Sequence, residues 1–126
     1  MINGAHFLIY SKDGEADRAF FRDVLGFRSV DVGEGWLIFA LPPAEMGIHP
    51  SEENLTQPHA GHELTTATLY LMCDDLRIQM AALRAKGVEC AEVMEARWGS
   101  ITKIQLPGGG EIGLYEPKHP RASKVG

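Results

Sequence analysis

The sequence predicts an α+β fold built from two copies of a strand–helix–strand–strand–strand (βαβββ) module. Segments 41–50 and 106–117 have nearly the same pattern, because each begins with Leu-Pro, turns, and continues as Glu-apolar-Gly-apolar with a closing ring residue. Two amphipathic runs, 13–26 and 75–87, repeat in the same way, each from Asp to Gly. A repeat of roughly sixty residues is longer than a solenoid unit and indicates two modules of one fold. Paired modules leave a cleft between them.

The first module begins with a predicted strand at His6–Tyr10, which is rich in aromatic and branched residues. A helix follows, capped by Asp13 or Ser11, with apolar residues on one face at spacings of three and four. Gly26 suits the left-handed end of that helix. Three further strands are predicted at Phe27–Val32, Trp36–Leu41 and Glu45–His49, with turns at 33–35 and at Pro42-Pro43.

The second module repeats this order after a weakly patterned segment, 50–64, which is rich in Pro, Ser, Glu and Gly and reads as a loop. Its predicted elements are a strand Thr66–Cys73, a helix Asp75–Lys86 ended by Gly87, and strands Val88–Val93, Ser100–Gln105 and Glu111–Tyr115. Because a helix crossover joins parallel strands and tight turns join antiparallel ones, both sheets are expected to be mixed.

Domain organisation follows from these elements. We expect a single domain over residues 1–126, with a first module at 1–50, a linker at 51–64, a second module at 65–117 and a tail at 118–126. A chain of 126 residues is long enough to bury a core as one domain.

The amino-acid composition limits the classes of partner expected for this chain. With 44% hydrophobic and 23% charged residues, the chain resembles an ordinary globular protein. A net charge of -5 without a Lys/Arg stripe argues against nucleic acid as a partner. We expect no membrane partner and a cytoplasmic location, because neither a bilayer-spanning run nor a secretion signal is evident. Cys73 and Cys90 lack the spacing of a metal or redox pair and read as free thiols.

Several local motifs resemble the vicinal oxygen chelate superfamily, which includes glyoxalase I, bleomycin-resistance proteins, fosfomycin-resistance transferases and extradiol dioxygenases. The likeness spans residues 1 to 118, and its motifs are His6 in its strand, the run 19–27 (Ala-Phe-Phe-Arg-Asp-Val-Leu-Gly-Phe), Cys73-Asp74-Asp75 and the run 106–112 (Leu-Pro-Gly-Gly-Gly-Glu-Ile). The resemblance implies that the modules curl their sheets into a shared cup, in which a divalent metal often sits. Such a metal stabilises oxyanions and enediolates as charge develops.

The four ligand positions that the resemblance implies are only partly filled. They fall on His6, Gly47, Thr68 and Gly113, of which His6 alone has a ligating side chain. His49 lies two residues beyond Gly47 and is expected on the same strand face. His6 and His49 are therefore the candidate ligands for Zn, Ni, Mn or Fe, and His62 substitutes at the third position only if the chain bulges at 65–68. Glycine at two ligand positions is expected to widen the cavity floor.

Two functions stay open from the sequence. The first is metal-free binding of a small organic molecule in the inter-module cavity, which the missing ligands favour. The candidate ligand-binding residues are His6, His49, Thr68, Tyr70 and Tyr115. The second is a metal-dependent lyase, isomerase, dioxygenase or transferase acting on a small oxygenated substrate. In that case His6 and His49 hold the ion and Glu111 accepts a proton.

Assembly is a separate expectation. Modules of this type pair within one chain or across two chains, and the long connection at 50–64 permits either arrangement. We expect a two-fold symmetric homodimer with two equivalent cavities.

Overall fold

The helices lie where the sequence predicts them. The computed structural model describes residues 1, 3–51 and 55–124. Helix α1, Gly14–Ala19, continues as a π-helical turn, Phe20–Val24, and helix α2 covers Leu76–Ala85. Asp13 caps α1 by accepting a hydrogen bond from the amide N–H of Ala16, and Asp75 caps α2 by accepting one from the N–H of Ile78. None of the helices in the described ranges is long and apolar enough to cross a bilayer.

Glycines end both helices. Gly26 has φ of 73° and Gly87 has φ of 81°, the left-handed conformation that a residue with a Cβ atom adopts only at a cost. These two positions confirm the predicted helix ends.

A four-stranded mixed sheet forms the second module. Its strands, in spatial order, are β5 (Tyr70–Met72), β8 (Glu111–Pro117), β7 (Gly99–Gln105) and β6 (Met94–Ala96). β5 pairs parallel to β8, and the other pairs are antiparallel. The strand predicted at Val88–Val93 is wrong, because only an isolated bridge from Cys90 to Ile104 forms there and the true edge strand follows it.

Two hairpins account for the other strands. β1 (Ser29–Asp31) pairs with β2 (Leu37–Phe39), as predicted around the turn at 33–35. β3 (Thr56–His59) pairs with β4 (His62–Thr65) in the segment where the sequence indicated a loop. Ala60 and Gly61, with φ of 51° and 78°, form the tight turn between them. This hairpin was not predicted because its strands are exposed and polar and lack apolar alternation.

The predicted strands His6–Tyr10 and Glu45–His49 join no backbone ladder within the described residues. The prediction of strands at these two segments is therefore wrong for the described chain. The residue pattern of a strand is present in each segment, but neither segment pairs with a neighbouring strand. Strand formation needs a neighbouring strand, which local sequence does not reveal.

One hydrophobic core lies between the helices and the four-stranded sheet. The residues buried in it come from the π-turn, α2, the segment after α2, and strands β7 and β8: Phe20, Phe21, Leu76, Met80, Leu83, Val88, Ile104, Leu106, Ile112 and Leu114. Because the π-turn of the first module contributes Phe20 and Phe21, the two modules share this core. The fold class is α+β, as predicted.

A buried carboxylate also links the modules. Asp17 on α1 is only 7% exposed, and its Oδ1 accepts a hydrogen bond of 2.7 Å from the N–H of Gly108 in the turn before β8. The N–H of Lys12 donates to the Gly108 carbonyl at 3.2 Å. A Cβ at Gly108 would overlap Ser11 Oγ, so only glycine fits at this contact. Residues 11–17 therefore hold both polar backbone groups of Gly108.

We expect Asp17→Ala to lower the free energy of unfolding by about 1–3 kcal/mol, because it leaves a buried N–H without an acceptor. Asp17→Asn retains a carbonyl oxygen at this position and should recover part of that loss. Urea denaturation of both variants measures the difference. Asp23→Ala, which removes an exposed carboxylate paired only with its neighbour Arg22, is the control. Equal stability of the Asp17→Ala and Asp23→Ala variants would refute the role given to Asp17.

Candidate ligand-binding site

The four-stranded sheet has two faces of different character. On β8, Ile112 and Leu114 point into the core, so Glu111, Gly113 and Tyr115 lie on the opposite face. The register places Ile101 and Lys103 of β7 beside Tyr115 and Gly113 on that face. Tyr70 of β5 lies beside Gly113 from the other side. The face away from the core is therefore where a ligand can reach the sheet.

Three rings cluster on this side of the sheet and define what we call the aromatic face: Tyr70, Trp98 and Tyr115. Their centroids lie 5.4–6.1 Å apart and their planes meet at 78–87°. Edge-to-face contacts of this kind stabilise aromatic pairs beyond the area they bury. Tyr70 is 41% exposed and Trp98 44% exposed, whereas Tyr115 is buried at 8%. Two rings thus offer free surface, and the third supports them from below.

Two glycines make room for the two tyrosine rings. A Cβ at Gly113 would overlap the ring of Tyr70. A Cβ at Gly99 would come within 2.9 Å of Cδ2 of Tyr115. The expectation that glycine widens the cavity floor is therefore wrong at Gly113, where an aromatic ring fills the space. At Gly47 the space is open, since a Cβ there would meet nothing within 4 Å.

A group of polar side chains borders the aromatic face at Tyr115. The Tyr115 hydroxyl lies 3.4 Å from Glu45 Oε1 and 3.3 Å from His119 Nε2. Glu45 Oε2 accepts a hydrogen bond of 2.7 Å from the N–H of Ala122, and its side chain is only 16% exposed. Glu45 belongs to the first module and Tyr115 to the second, so both modules contribute to this site.

The hydrogen bonds assign the proton on His119. Its Nδ1 lies 2.9 Å from the carbonyl oxygen of Pro120, and a carbonyl only accepts, so Nδ1 is the protonated nitrogen. In the neutral ring Nε2 is then an acceptor for the Tyr115 hydroxyl. That hydroxyl has one proton and two acceptors within reach, and its oxygen can in turn accept a hydrogen bond from a ligand.

Burial, followed by the nearby charge of Glu45, raises the pKa of Tyr115 above its ordinary value of 10.0. The phenol therefore remains neutral and able to donate at physiological pH. Burial, and next the charge of Glu116, raises the pKa of Cys73 to about 11. This thiol donates to the carbonyl oxygen of Tyr115 at 3.7 Å and is too rarely ionised to act as a nucleophile.

Ion pairs surround the site. Lys103 Nζ lies 2.7 Å from Glu111 Oε2, Lys118 lies 3.0 Å from Glu95, and Arg121 lies 3.0 Å from Asp74. In each pair at least one partner is well exposed, so each contributes little to stability. The opposite charges within each of these pairs neutralise one another, whereas Glu45 Oε1 lies 3.8 Å from His119 Nε2.

The residues that the sequence singled out fall into two groups. Tyr70 and Tyr115 lie together on the aromatic face, and Glu111 lies on the same side of β8 in its pair with Lys103. His6 and Thr68 are exposed and outside the strands. His49 is exposed and contacts the carbonyl of Pro50 through Nδ1. His62 faces His59 across the β3–β4 hairpin and is exposed.

Sequence reasoning did not assign Glu45, Trp98 or His119 to the site. The repeat held a signal for Glu45, since it occupies the position of Glu111 in the second module. The sequence held no signal for His119, because its contacts depend on how the segment after β8 folds back.

The donor set does not fit the metal that the family resemblance implies. Of the four positions, Gly47 and Gly113 lack side chains, and the ring of Tyr70 occupies the space at Gly113. Over residues 1, 3–51 and 55–124, no three His, Cys, Asp or Glu side chains come together in a metal-binding group. His6 and His49 remain a predicted pair, without a third ligand beside them in the described part of the chain.

Two open depressions lie away from the aromatic face. One, of about 470 Å³, is lined by residues of the β1–β2 hairpin. The other, of about 430 Å³, lies beside Phe20, Val88 and Leu106. Neither is lined by His6 or by a residue of the aromatic face.

The chain belongs to the Glyoxalase/Bleomycin resistance protein/Dioxygenase superfamily. The model of that family matches residues 4–117, which covers both modules. This confirms the family that the sequence motifs indicated. A comparison with curated proteins finds no match.

Solved structures of the same fold resemble the chain over most of its length. TnmS3, an antibiotic binding protein from Streptomyces sp. CB03234, is 23% identical with a TM-score of 0.64, covering 94% of this chain and 99% of its own. Lactoylglutathione lyase from Agrobacterium tumefaciens is 19% identical with a TM-score of 0.59, covering 86% and 88%. A superfamily member from Sphaerobacter thermophilus DSM 20745 is 18% identical with a TM-score of 0.57, covering 91% and 98%. At these identities the likeness shows the fold.

Gly113→Ala should displace the Tyr70 ring, because the new methyl group and the ring would share one space. We expect a loss of about 1–3 kcal/mol in the free energy of unfolding and a changed near-ultraviolet circular dichroism spectrum. Gly110→Ala is the matched control, since a Cβ there meets nothing within 4 Å. If both variants keep the wild-type spectrum and stability, the packing described at Gly113 is incorrect.

Proposed function

We propose that this chain binds a small apolar or aromatic organic molecule on the aromatic face, without a metal ion. The exposed surfaces of Tyr70 and Trp98, set nearly at right angles on the side of the sheet away from the core, carry this proposal. Among the described residues, the aromatic rings that contact Tyr70 and Trp98 are each other and Tyr115, so part of both surfaces stays exposed. A planar ligand can stack on one ring and place its edge against the other.

The exposed area of the two rings sets the expected binding free energy. Covering roughly 100 Å² of each ring, at about 25 cal/mol per Å², contributes about 2.5 kcal/mol per ring. Association and ordering cost several kcal/mol, so the surplus must come from the ligand's further contacts. The Tyr115 hydroxyl, with Glu45 and His119 behind it, supplies hydrogen bonds that orient a ligand bearing a polar group.

A related structure supports this function. TnmS3, an antibiotic binding protein, has the same fold over nearly the whole chain. The fold also supports catalysis in lactoylglutathione lyase. For this chain we favour binding, because the donor set around the family's metal positions is incomplete, and we propose no reaction step for Glu111.

We further propose that the partners of this chain are a small molecule and a second copy of the chain, and that neither nucleic acid nor a membrane is a partner. The proposed location is the cytoplasm. The acidic net charge of -5 supports the exclusion of nucleic acid.

Trp98→Ala should weaken the binding of planar aromatic probes about 5- to 50-fold, because it removes one of the two exposed rings. Calorimetric titration with 2-naphthol and quinoline, with cyclohexanol as the non-planar comparison, measures this change. Trp36→Ala is the matched control: Trp36 is 58% exposed on the β1–β2 hairpin, under Arg18 and away from the site. Its loss should change the affinity less than twofold. Equal weakening by both variants, or no binding of any probe below millimolar concentration, would exclude the aromatic face as the site.

Removal of metal ions should leave probe binding unchanged. The metal-stripped chain and its His6→Ala variant should bind 2-naphthol as the untreated protein does. Titration with Zn²⁺, Ni²⁺, Mn²⁺ and Fe²⁺ should show no dissociation constant below about micromolar, equivalent to roughly -8 kcal/mol. Tight binding of one ion that disappears in His6→Ala would favour the metal-dependent enzyme instead.

A further inference from the structure

The β3–β4 hairpin forms a two-stranded sheet of its own, separate from the four-stranded sheet. All of its strand residues except Gln57 are exposed. A two-stranded hairpin that buries little surface is only marginally stable in water. A group that joins the two strands would therefore stabilise this hairpin.

Two histidines lie directly opposite each other where the hairpin turns. The register pairs His59 with His62. Between them, Ala60 and Gly61 have φ of 51° and 78°, the positive values that a two-residue type I′ turn requires. Residues directly opposite in an antiparallel pair project from the same face, with Cβ atoms about 4.5–5.5 Å apart. The turn therefore presents two imidazoles side by side.

This spacing suits two ligands of one metal ion. Ring nitrogens that bind Zn²⁺ at about 2.0–2.1 Å lie roughly 3–3.4 Å apart, so the two rings need only lean towards each other beyond their Cβ atoms. The Tyr10 ring contacts the His59 ring at a centroid distance of 6.0 Å with the planes at 76°, which restricts the orientation of that imidazole. Both histidines are exposed, so an ion and its water ligands can reach them.

The charge of the surrounding sequence favours a cation. Neither Lys nor Arg occurs between Arg28 and Arg77, whereas Asp and Glu recur throughout that stretch, and Glu63 follows His62 directly. An excess of one sign of charge raises the local concentration of ions of the other sign. Imidazole nitrogen suits Zn²⁺, Ni²⁺ and Cu²⁺, whereas Mg²⁺ and Ca²⁺ prefer oxygen ligands.

We propose that His59 and His62 form a two-ligand site for a divalent transition metal ion, which joins β3 to β4 across their turn. The remaining coordination positions are filled by water. A site with two protein ligands exchanges its ion readily, and we expect a dissociation constant between about 10 µM and 1 mM. Because the ion binds the closed hairpin and not the open one, it stabilises the closed form.

This site is separate from the aromatic face and from the four positions that the family resemblance implies. Neither histidine of the pair occupies one of those positions. The expected affinity is also weaker than the micromolar limit given above for an ion held by His6. The inference therefore goes beyond the proposed function, and binding of 2-naphthol, measured separately, does not depend on it.

Calorimetric titration of the chain, prepared without a histidine tag, with Ni²⁺ tests the site. His59→Ala and His62→Ala should each weaken Ni²⁺ binding at least about tenfold, because each leaves a single ligand where the second had been held in place by the first. Gln57→Ala keeps both histidines and should change the affinity less than twofold. Titration with Mg²⁺ should show no binding at this site.

A moved histidine tests the geometry rather than the composition of the hairpin. Glu63 lies opposite Pro58 and projects from the other face. The double variant His62→Ala/Glu63→His therefore keeps two histidines in the hairpin but separates them by its thickness. It should bind Ni²⁺ no better than His62→Ala. Amide spectra of each variant show whether the hairpin still forms.

Amide hydrogen exchange tests whether the ion joins the strands. At a Zn²⁺ concentration ten times the dissociation constant, the ladder amides of β3 and β4 should exchange about tenfold more slowly, because the closed hairpin alone binds the ion. The same addition should leave exchange in His62→Ala unchanged.

The possible outcomes are distinct. Loss of Ni²⁺ binding in both single variants, without recovery in the moved-histidine variant and with slower exchange in the wild-type hairpin, supports the site. Unchanged binding in His59→Ala and His62→Ala, full recovery in the moved-histidine variant, or absence of Ni²⁺ binding up to millimolar concentration overturns it. Binding that is lost in His6→Ala but kept in His59→Ala also overturns it and assigns the ion to the family position.

Discussion

The aromatic face depends on two positions where the chain has no Cβ atom. Gly113 lets the Tyr70 ring lie against β8, and Gly99 lets the Tyr115 ring lie against β7. A Cβ at Gly113 would overlap the Tyr70 ring, and a Cβ at Gly99 would lie 2.7 Å from the Glu116 carbonyl oxygen and 2.9 Å from the Tyr115 ring. Steric room at the backbone therefore allows both rings to lie on this side of the sheet. Gly113 occupies a position where the family resemblance implies a metal ligand. The absence of a side chain there leaves room for the Tyr70 ring and also leaves that position without a ligating group.

The rest of the fold keeps this face in place and open. Phe20 and Phe21 of the first module pack into the core on the opposite face of the sheet. The contact between Asp17 and Gly108 fixes the turn from which β8 emerges. At the far end of β8, Glu45 joins the first module to Tyr115 and Ala122. The strand that carries the site is thus held by the first module at both ends.

Elements defined by local chemistry were predictable from the sequence. Both helices follow from an aspartate cap, an apolar stripe and a closing glycine, all within about twelve residues. The family likewise follows from short motifs. Elements defined by pairing were less predictable. Segments 6–10 and 45–49 have strand patterns, but they join no ladder among the described residues. The β3–β4 hairpin has a partner close in sequence but no apolar alternation to reveal it.

The candidate site likewise has features that were predictable from the sequence and features that were not. Tyr70 and Tyr115 were predictable because alternation along a strand and the repeat place them on one side of a sheet. The position of the Tyr70 ring over Gly113 was not predictable, since it depends on the side-chain conformation of a residue in another strand. The joining of Glu45 to Tyr115 and His119 was not predictable either, because it depends on contacts across about seventy residues of sequence. An isolated histidine such as His6 is recognisable in the sequence, but its role depends on the neighbours that the fold places beside it.

Nuclear magnetic resonance of the ¹⁵N-labelled chain titrated with 2-naphthol tests the central claim most directly, because it locates the bound molecule without assuming a site. Binding on the aromatic face predicts that the largest amide shifts cluster at Tyr70, Trp98, Tyr115 and His119, together with the Trp98 indole N–H. Shifts concentrated on the β1–β2 hairpin or beside Phe20 and Val88, with those residues unchanged, would contradict it.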